Sequence, residues 1–327
     1  MVKIGVIGGG KWGKNHLKDL SRMNSCRLIA LADPDENKKS LADKHSILHF
    51  SNYQDMLPHV DAVTIVTPTT SHYEIAKYCL EQGKHIFVEK PLCFEEDKAA
   101  ELVELARQKG LLLSVGYVFR FNPLVKRLKE LLPEIGPIQY ISSRYIHSTV
   151  PPRKDSGVVF NLAVHLIDLL NHVLPQQPKS INCKNVHFIS PTNEDSAIIK
   201  LDYGSFLATI ETSCCHPLKK RDMWIIAAKE KIYLDFLDQV MIRHPITVSE
   251  EGTSSKEAIR DPKIEKGSPL FEELWHFCTV CNDRMAGKEV RNESAENFLT
   301  TKMCNLALQS ARENRIINME YGTGNHF

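Results

Sequence analysis

The apolar run at residues 2–7 (VKIGVI) passes without a break into Gly8-Gly9-Gly10-Lys11-Trp12-Gly13, and this junction constrains the fold more than any other stretch. Glycines at 8, 10 and 13 form a GxGxxG frame after a strand and before a segment, 14–21, suited to a helix. That context marks a dinucleotide-binding turn, whereas an isolated glycine-rich turn is weak evidence. Gly8 permits the tight turn, Gly10 lets a pyrophosphate approach the backbone, and Gly13 lets helix and strand pack closely. The helix N-terminus then offers free amides and a partial positive charge to phosphates. Lys11 and Trp12, between the last two glycines, count among the cofactor contacts.

The next apolar run, 27–32, ends at Asp33, twenty residues beyond Gly13. An acid there either accepts from both adenosine ribose hydroxyls or caps the following helix. In the first role it repels a 2′-phosphate and so favours NAD, although Arg22, Arg27, Lys38 and Lys39 nearby leave room for NADP. The alternation continues with helices predicted at 36–44, 73–82 and 95–109, and strands at 61–67, 85–89 and 111–116. Strands alternating with amphipathic helices imply βαβ units and a parallel sheet. His72 is either a cofactor contact or a loop residue whose ring caps the helix after it.

The stretch 85–92, HIFVEKPL, ends its strand in Glu89-Lys90-Pro91. Pro91 lacks an amide donor and biases Lys90 to extended backbone, so the strand stops there. Taken alone, the pair is a surface charge pair. At the carboxyl end of a parallel strand it sits where open α/β sheets place ligands.

After Pro123 the pattern changes. A helix at 124–132 precedes strands predicted at 138–147, 183–189, 195–202, 205–213, 222–228, 231–236 and 239–243. A long loop at 250–269 and closing helices at 270–284 and 294–314 complete the chain. The expected architecture is an α/β Rossmann domain, 1–121, followed by an α+β domain, 122–327, with a predominantly antiparallel open sheet. At 327 residues the chain is long enough for both.

Charge and cysteine usage exclude several classes. Lys+Arg number 41 against 40 Asp+Glu, so no global field favours nucleic acid or acidic lipid. Nine cysteines, an odd count scattered in apolar segments, suit free thiols in a reducing compartment. No apolar run approaches the roughly 20 residues needed to span a bilayer, and the chain enters a strand directly, so a cytoplasmic, membrane-free protein is expected. Cys278-x-x-Cys281 has no second pair of ligands, so no metal site is expected.

In the second half, the four-residue spacing of Asn161 and His165 places both on one helix face, and Asp168, three further on, can orient the imidazole. Arg153 is a candidate for a substrate phosphate or carboxylate because its fork binds anions bidentately. Tyr145 and Arg144 are placed in the same cleft. Lys219-Lys220-Arg221 reads as a solvated turn within reach of an anionic substrate.

The segments VTPTTSHYEIA (66–76), VEKP (88–91) and GYVFRFNP (116–123) resemble the Gfo/Idh/MocA family of nicotinamide-dependent sugar and polyol oxidoreductases. Within it, RFNP (120–123), PPRKDSG (151–157) and NLAVHLIDLL (161–170) are similar to the signature of UDP-N-acetylglucosamine 3-dehydrogenases. The resemblance implies that Thr67 and Pro68 pass beneath the dinucleotide and that Glu89 lies near the nicotinamide. It further implies that Lys90 and His165 are catalytic, that Arg120 and Asn122 link cofactor to substrate domain, and that the chain forms homodimers or homotetramers. The chemistry expected is oxidation of a secondary hydroxyl. His165, with an unperturbed pKa of about 6.5, accepts the proton, while Lys90 stabilises the developing alkoxide or serves as base itself. The substrate is a sugar or nucleotide sugar, best a UDP-N-acetylhexosamine oxidised at carbon 3, with inositol or another polyol as the alternative. One departure stands out: Asn161 occupies a position that is usually aspartate. An amide cannot exchange a proton, so His165 acts alone or through water, or the chain is a catalytically inactive sugar or nucleotide sensor.

Overall fold

Six parallel strands organise the first half of the protein: β1 (Val2–Ile7), β2 (Cys26–Ala32), β3 (Leu48–Phe50), β4 (Ala62–Ile65), β5 (His85–Glu89) and β6 (Leu113–Gly116). Their order is β3-β2-β1-β4-β5-β6, so the chain reverses direction of growth beside β1. The computed structural model describes residues 1–148, 155–248, 254–260, 262–290 and 294–319. Strands β1, β4 and β5 are buried almost end to end, as a sheet covered on both faces requires. Helices α1 (Lys11–Leu20), α2 (Lys39–Lys44), α3 (Tyr53–Met56), α4 (His72–Glu81) and α5 (Glu96–Gln108) connect them. The predicted helix 36–44 begins as a 3₁₀ turn, Glu36–Lys38, and β3, a three-residue strand with no buried residue, escaped the sequence pattern.

The second sheet has eight strands among the described residues and is mostly antiparallel. It is built from β7 (Ile138–Ser148), β8 (Ser180–Val186), β9 (Ser196–Asp202), β10 (Leu207–Ser213), β11 (Cys215–Ala227), β12 (Lys231–Asp235) and β13 (Val240–His244). A side hairpin pairs β14 (Ile246–Val248) with β15 (Ser254–Lys256), and β16 (Ile317–Asn318) closes the far edge against β8. Among the described residues only β7 and β10 run parallel in it. Helices α6 (Pro123–Leu131) and α7 (Val164–Val173) belong to this unit. Two expectations need correction. Lys219-Lys220-Arg221 is not a turn: it lies inside β11, thirteen residues long and paired with β7 across an irregular register. The hairpin β14–β15 lies in and beside the segment read as a long loop.

The last two helices are α8 (Pro269–Met285) and α9 (Ser294–Glu313). Two compact units result. One combines Met1–Val118 with Ser268–Thr301; the other combines Phe119–Gly267 with the residues from Lys302 onward. The sequence reading cut the chain once, near residue 121. The structure returns it to the first unit because α8 presents Leu274, Phe277, Cys278 and Cys281, all buried, to Val2, Leu17, Leu20 and Phe87. Asn282 fixes that helix by accepting from the amide of Val2 at 2.7 Å and donating to the carbonyl of Ser25 at 2.7 Å.

Candidate active site

In the first unit, the carboxyl ends of β1, β2 and β4 border a cleft of 570 Å³ whose lining includes Gly8, Gly10, Asp33, Lys38, Thr67 and Pro68. The glycines divide their work there. Gly8 has φ +103, and a Cβ on Gly13 would stand 2.0 Å from the carbonyl oxygen of Gly8, so helix and turn touch backbone to backbone. A Cβ on Gly10 would meet open space, which is the room a diphosphate needs against the amino end of α1. The residues present therefore fit an adenine dinucleotide. Asp33 folds back over this turn, its carboxylate accepting from Gly9 N at 2.6 Å and Asp35 N at 2.9 Å. Capping of the next turn falls to Asp35, which accepts from Asn37 N at 3.0 Å; that amide, then Lys38, hold its carboxyl below the usual range. Of the nearby cations, Lys38 lines the cleft, whereas Arg22 is held by Asp19 at 2.6 Å and lies over Phe271. Lys11 and Trp12 are exposed at the start of α1.

Beyond β4 the loop is tied down. Thr67 Oγ1 accepts from Ser71 Oγ at 2.8 Å. His72, 1 % exposed, brings one ring nitrogen to 2.8 Å from the carbonyl of Pro91 and the other to 2.9 Å from that of Thr67. Its ring thus straps the loop to the end of β5, a use neither of the two expectations foresaw.

Glu89 turns inward. Its carboxylate lies 3.0 Å from Nε2 of the fully buried His16 on α1, and a Cβ on Gly116 would come within 3.1 Å of it. Lys90 and Pro91 follow through a cis peptide. Sequence reasoning passed over His16, although a signal existed. Gly13 must face the strand, and a residue three positions later shares that helix face.

In the second unit, an aromatic cluster gathers around His165, which is 7 % exposed. Its ring stacks on Phe119 at 5.1 Å and on Tyr145 at 5.7 Å, and Phe119 stacks in turn on Phe236 at 5.2 Å. Burial pushes the Tyr145 hydroxyl up from its ordinary value, with Arg221 opposing. Strand alternation sends Arg144, one residue earlier, to the other face. There it forks onto Asp222 at 2.9 and 2.6 Å, so Arg144 and Tyr145 do not line one cleft.

The helix bearing His165 does not begin as an α-helix. Val159–Ala163 form a π turn, with α7 following from Val164. A π turn bonds residue i to i+5, so the four-residue spacing no longer places Asn161 one α turn beneath His165; such turns occur frequently at functional sites. Glu194, absent from the sequence reading, anchors this start. It accepts from Val159 N at 2.9 Å, and its backbone carbonyl accepts from Val158 N at 3.0 Å. A Cβ on Gly157 would fall 2.1 Å from the Glu194 carboxyl, so only glycine lets the two approach. Burial raises the Glu194 carboxyl above its ordinary value, and the Val159 amide partly offsets this.

Asp168 is buried and accepts both arms of the Arg120 fork, at 2.8 and 2.5 Å. Asn122 caps α6 by accepting from Leu124 N at 3.1 Å and donates to the carbonyl of Phe236 at 3.3 Å. Both ends of its amide are therefore engaged within the second unit. Arg153 lies outside the described residues. Asp195, Cys214 and Cys215 bring ligand-type atoms within 4.8 Å of one another, but Oδ2 of Asp195 already accepts from the amides of Phe188 and Ile189.

A parallel sheet with a glycine-lined cleft, joined in one chain to a mostly antiparallel domain, defines a class of dinucleotide-binding oxidoreductases. Residues 2–117 match the oxidoreductase family with an NAD-binding Rossmann fold, and residues 125–233 match the GFO/IDH/MocA C-terminal domain. The chain belongs to the GFO/IDH/MocA family, whose members are NAD(P)-dependent dehydrogenases acting on CH–OH groups. It is 30% identical to the scyllo-inositol 2-dehydrogenase (NAD(+)) of Bacillus subtilis over 84% of this chain and 85% of that one. It is 27% identical to the UDP-N-acetylglucosamine 3-dehydrogenase of Acidithiobacillus ferrooxidans over 57% of this chain and 58% of the relative. The solved structure of the Acidithiobacillus enzyme superposes with a TM-score of 0.83, 21% identity and coverage of 95% and 98%. Levoglucosan dehydrogenase in complex with NADH superposes with 0.86, 17% identity and coverage of 98% and 99%. These superpositions establish the shared fold. Among the described residues no helix is long and apolar enough to cross a membrane.

Proposed function

We propose that this protein is an NAD-dependent dehydrogenase that oxidises a secondary hydroxyl of a sugar or nucleotide sugar, best carbon 3 of a UDP-N-acetylhexosamine. The observation that carries the reading is His165, nearly buried between Phe119 and Tyr145 on the sheet face of the second unit. Aromatic faces packed around an imidazole suit the apolar face of a pyranose ring. Nicotinamide dinucleotide, when bound, supplies the hydride acceptor. The chain's own share is binding and proton traffic. Gly10 and the amino end of α1 receive the diphosphate, Asp33 receives the adenosine ribose, and Thr67 and Pro68 support the dinucleotide. Asp33 in that role favours NAD over NADP. Lys90 stabilises the developing alkoxide, and His165 takes the hydroxyl proton. Asn161 holds a sugar hydroxyl without exchanging its proton.

The decisive experiment follows NADH formation with UDP-N-acetylglucosamine, then with inositols and simple hexoses. Loss of turnover in Lys90→Ala and His165→Ala, with NAD binding retained, is the expected result; turnover in Lys90→Ala equal to the wild type refutes the mechanism. Inositol oxidation is the second reading, favoured by the similarity to scyllo-inositol 2-dehydrogenase across most of both chains. NAD binding with no turnover of any sugar would indicate a sensor instead.

The open face of the second sheet supports a homo-oligomer. Tyr140, Val186, Ile198 and Leu207 are 38, 42, 60 and 37 % exposed, and their strand registers put all four on that face. An exposed apolar sheet face is a partner surface, and pairing of two such faces gives a two-fold dimer.

A further inference from the structure

Arg221 lies on β11 directly across from Tyr145 of β7, on the same sheet face as the aromatic cluster around His165. Its guanidinium carbon stands 4.5 Å from the centroid of the Tyr145 ring. The other arginines of this unit that are tucked against the protein are committed: Arg120 forks onto Asp168, Arg144 onto Asp222 and Arg243 onto Glu230. Arg221 has no carboxylate within ion-pair distance among the described residues, and its buried Nε–H meets no acceptor there. The nearby groups add to the positive field rather than cancel it. His147 packs edge-on to Tyr145 at 5.9 Å, and burial, then the charges of Arg221 and Lys219, hold its imidazole below the ordinary value. Lys220 points elsewhere, 4.0 Å from Asp235.

A half-buried guanidinium carries a desolvation cost, and among the described residues the Tyr145 ring, rather than a carboxylate, faces this one. Its planar fork matches phosphate and carboxylate oxygens bidentately, and stacking on Tyr145 limits the orientations it must give up on binding. We propose that Arg221 is the seat of an anionic oxygen group on the substrate, a sugar-linked phosphate or a sugar carboxylate, held beside the Tyr145–His165 stack. This rests on the reading of His165 as a substrate-site residue. It narrows the substrate class to anionic sugars, of which diphosphate-linked nucleotide sugars are one source and uronic acids the other.

The test is calorimetric titration of the full chain, saturated with NAD, using UDP, inorganic phosphate and glucuronate as probes. The wild type, Arg221→Met and Arg221→Lys are compared after their circular dichroism and melting curves are matched. UDP binding that falls at least tenfold in Arg221→Met, is partly restored in Arg221→Lys, and weakens with salt supports a phosphate seat. The same pattern with glucuronate supports a carboxylate seat. Bound probe must also shift the imidazole NMR signals of His147 and His165. Binding that is equal in the wild type and Arg221→Met, binding that leaves those signals unmoved, or no binding of any probe overturns the proposal. None of these readouts requires turnover. An enzyme inactive on every sugar would therefore sink the proposed dehydrogenase activity while leaving the result at Arg221 to be judged by itself.

Discussion

Alanine at Gly10 and alanine at Gly13 should fail in opposite ways, although the two positions are three residues apart in one motif. At Gly13 the added Cβ would lie 2.0 Å from the carbonyl oxygen of Gly8, about half an ordinary contact distance, and both atoms belong to backbone. Relief requires α1 to move away from β1, an overpacking penalty of about 1–3 kcal/mol or somewhat more. For a unit of this size that corresponds to a fall in Tm of roughly 2–4 °C per kcal/mol, with or without cofactor. At Gly10 the Cβ meets nothing, and the backbone there (φ −67, ψ −164) is open to any residue. Gly10→Ala should thus leave the apo protein within about 1 kcal/mol of wild type, because the lost freedom of the unfolded chain and the poorer N-cap of α1 oppose each other. It should cost at least tenfold in NAD affinity, about 1.4 kcal/mol, because the methyl takes the space reserved for the diphosphate. Urea unfolding of the apo protein and fluorescence titration with NADH separate the two effects. Wild-type NADH affinity in Gly10→Ala would show that the diphosphate does not approach this glycine.

Removing one partner of the buried Arg120–Asp168 fork, as in Arg120→Met, should cost about 3–5 kcal/mol in chemical denaturation, and adding Asp168→Leu should recover much of it. Glu194→Gln should change the pH dependence of stability. The Glu194 carboxyl is raised by burial, so its contribution is fully present below the unfolded pKa and is lost as pH rises through the folded one. Melting curves at increasing pH from the carboxylate range upward should show the wild type losing more stability than the glutamine variant; parallel curves would remove Glu194 as the cause. Asp33→Ser should weaken NAD at least tenfold and shift preference towards NADP, with Lys38, which lines the cleft and pairs with Asp35 at 3.1 Å, within reach of the 2′-phosphate; this is read from initial rates or binding with each cofactor. Reversing exposed apolar character on the open sheet face, as in Ile198→Glu, should dissociate any dimer in light scattering while leaving the fold intact.

The first sheet was legible in the sequence because β1, β4 and β5 are buried on both faces and its strands alternate with helices, two of which run into a glycine, Gly83 and Gly110. β3 was not, since three partly exposed residues carry no period. The antiparallel half was legible strand by strand, but two features were masked for physical reasons. The polar run Lys219-Lys220-Arg221 looks like a turn because alternation sends one side chain to each face of a sheet that is open on one side. The partition of α8 and α9 between units depends on which apolar face each helix finds, and periodicity shows that a face exists without naming its partner. In the site, the glycines and Asp33 were readable from spacing alone. The spacing from Gly13 put His16 on the buried helix face without naming its partner, and Glu194 and the strap made by His72 gave no local signal, because the three partners lie 73, 35 and 19 residues away.

The return of the chain to its first unit has a consequence for synthesis. The six-stranded sheet is complete in sequence by Gly116, yet the surface formed by Leu17, Leu20 and Phe87 receives Leu274 and Phe277 only after some 150 further residues have been made. A growing chain therefore exposes an apolar patch on a nearly finished sheet for many seconds at ordinary elongation rates, long enough for a chaperone or another nascent chain to find it. A fragment ended after residue 121 would carry the same patch permanently. A stable cofactor-binding fragment would require α8 to be grafted back onto the amino-terminal segment.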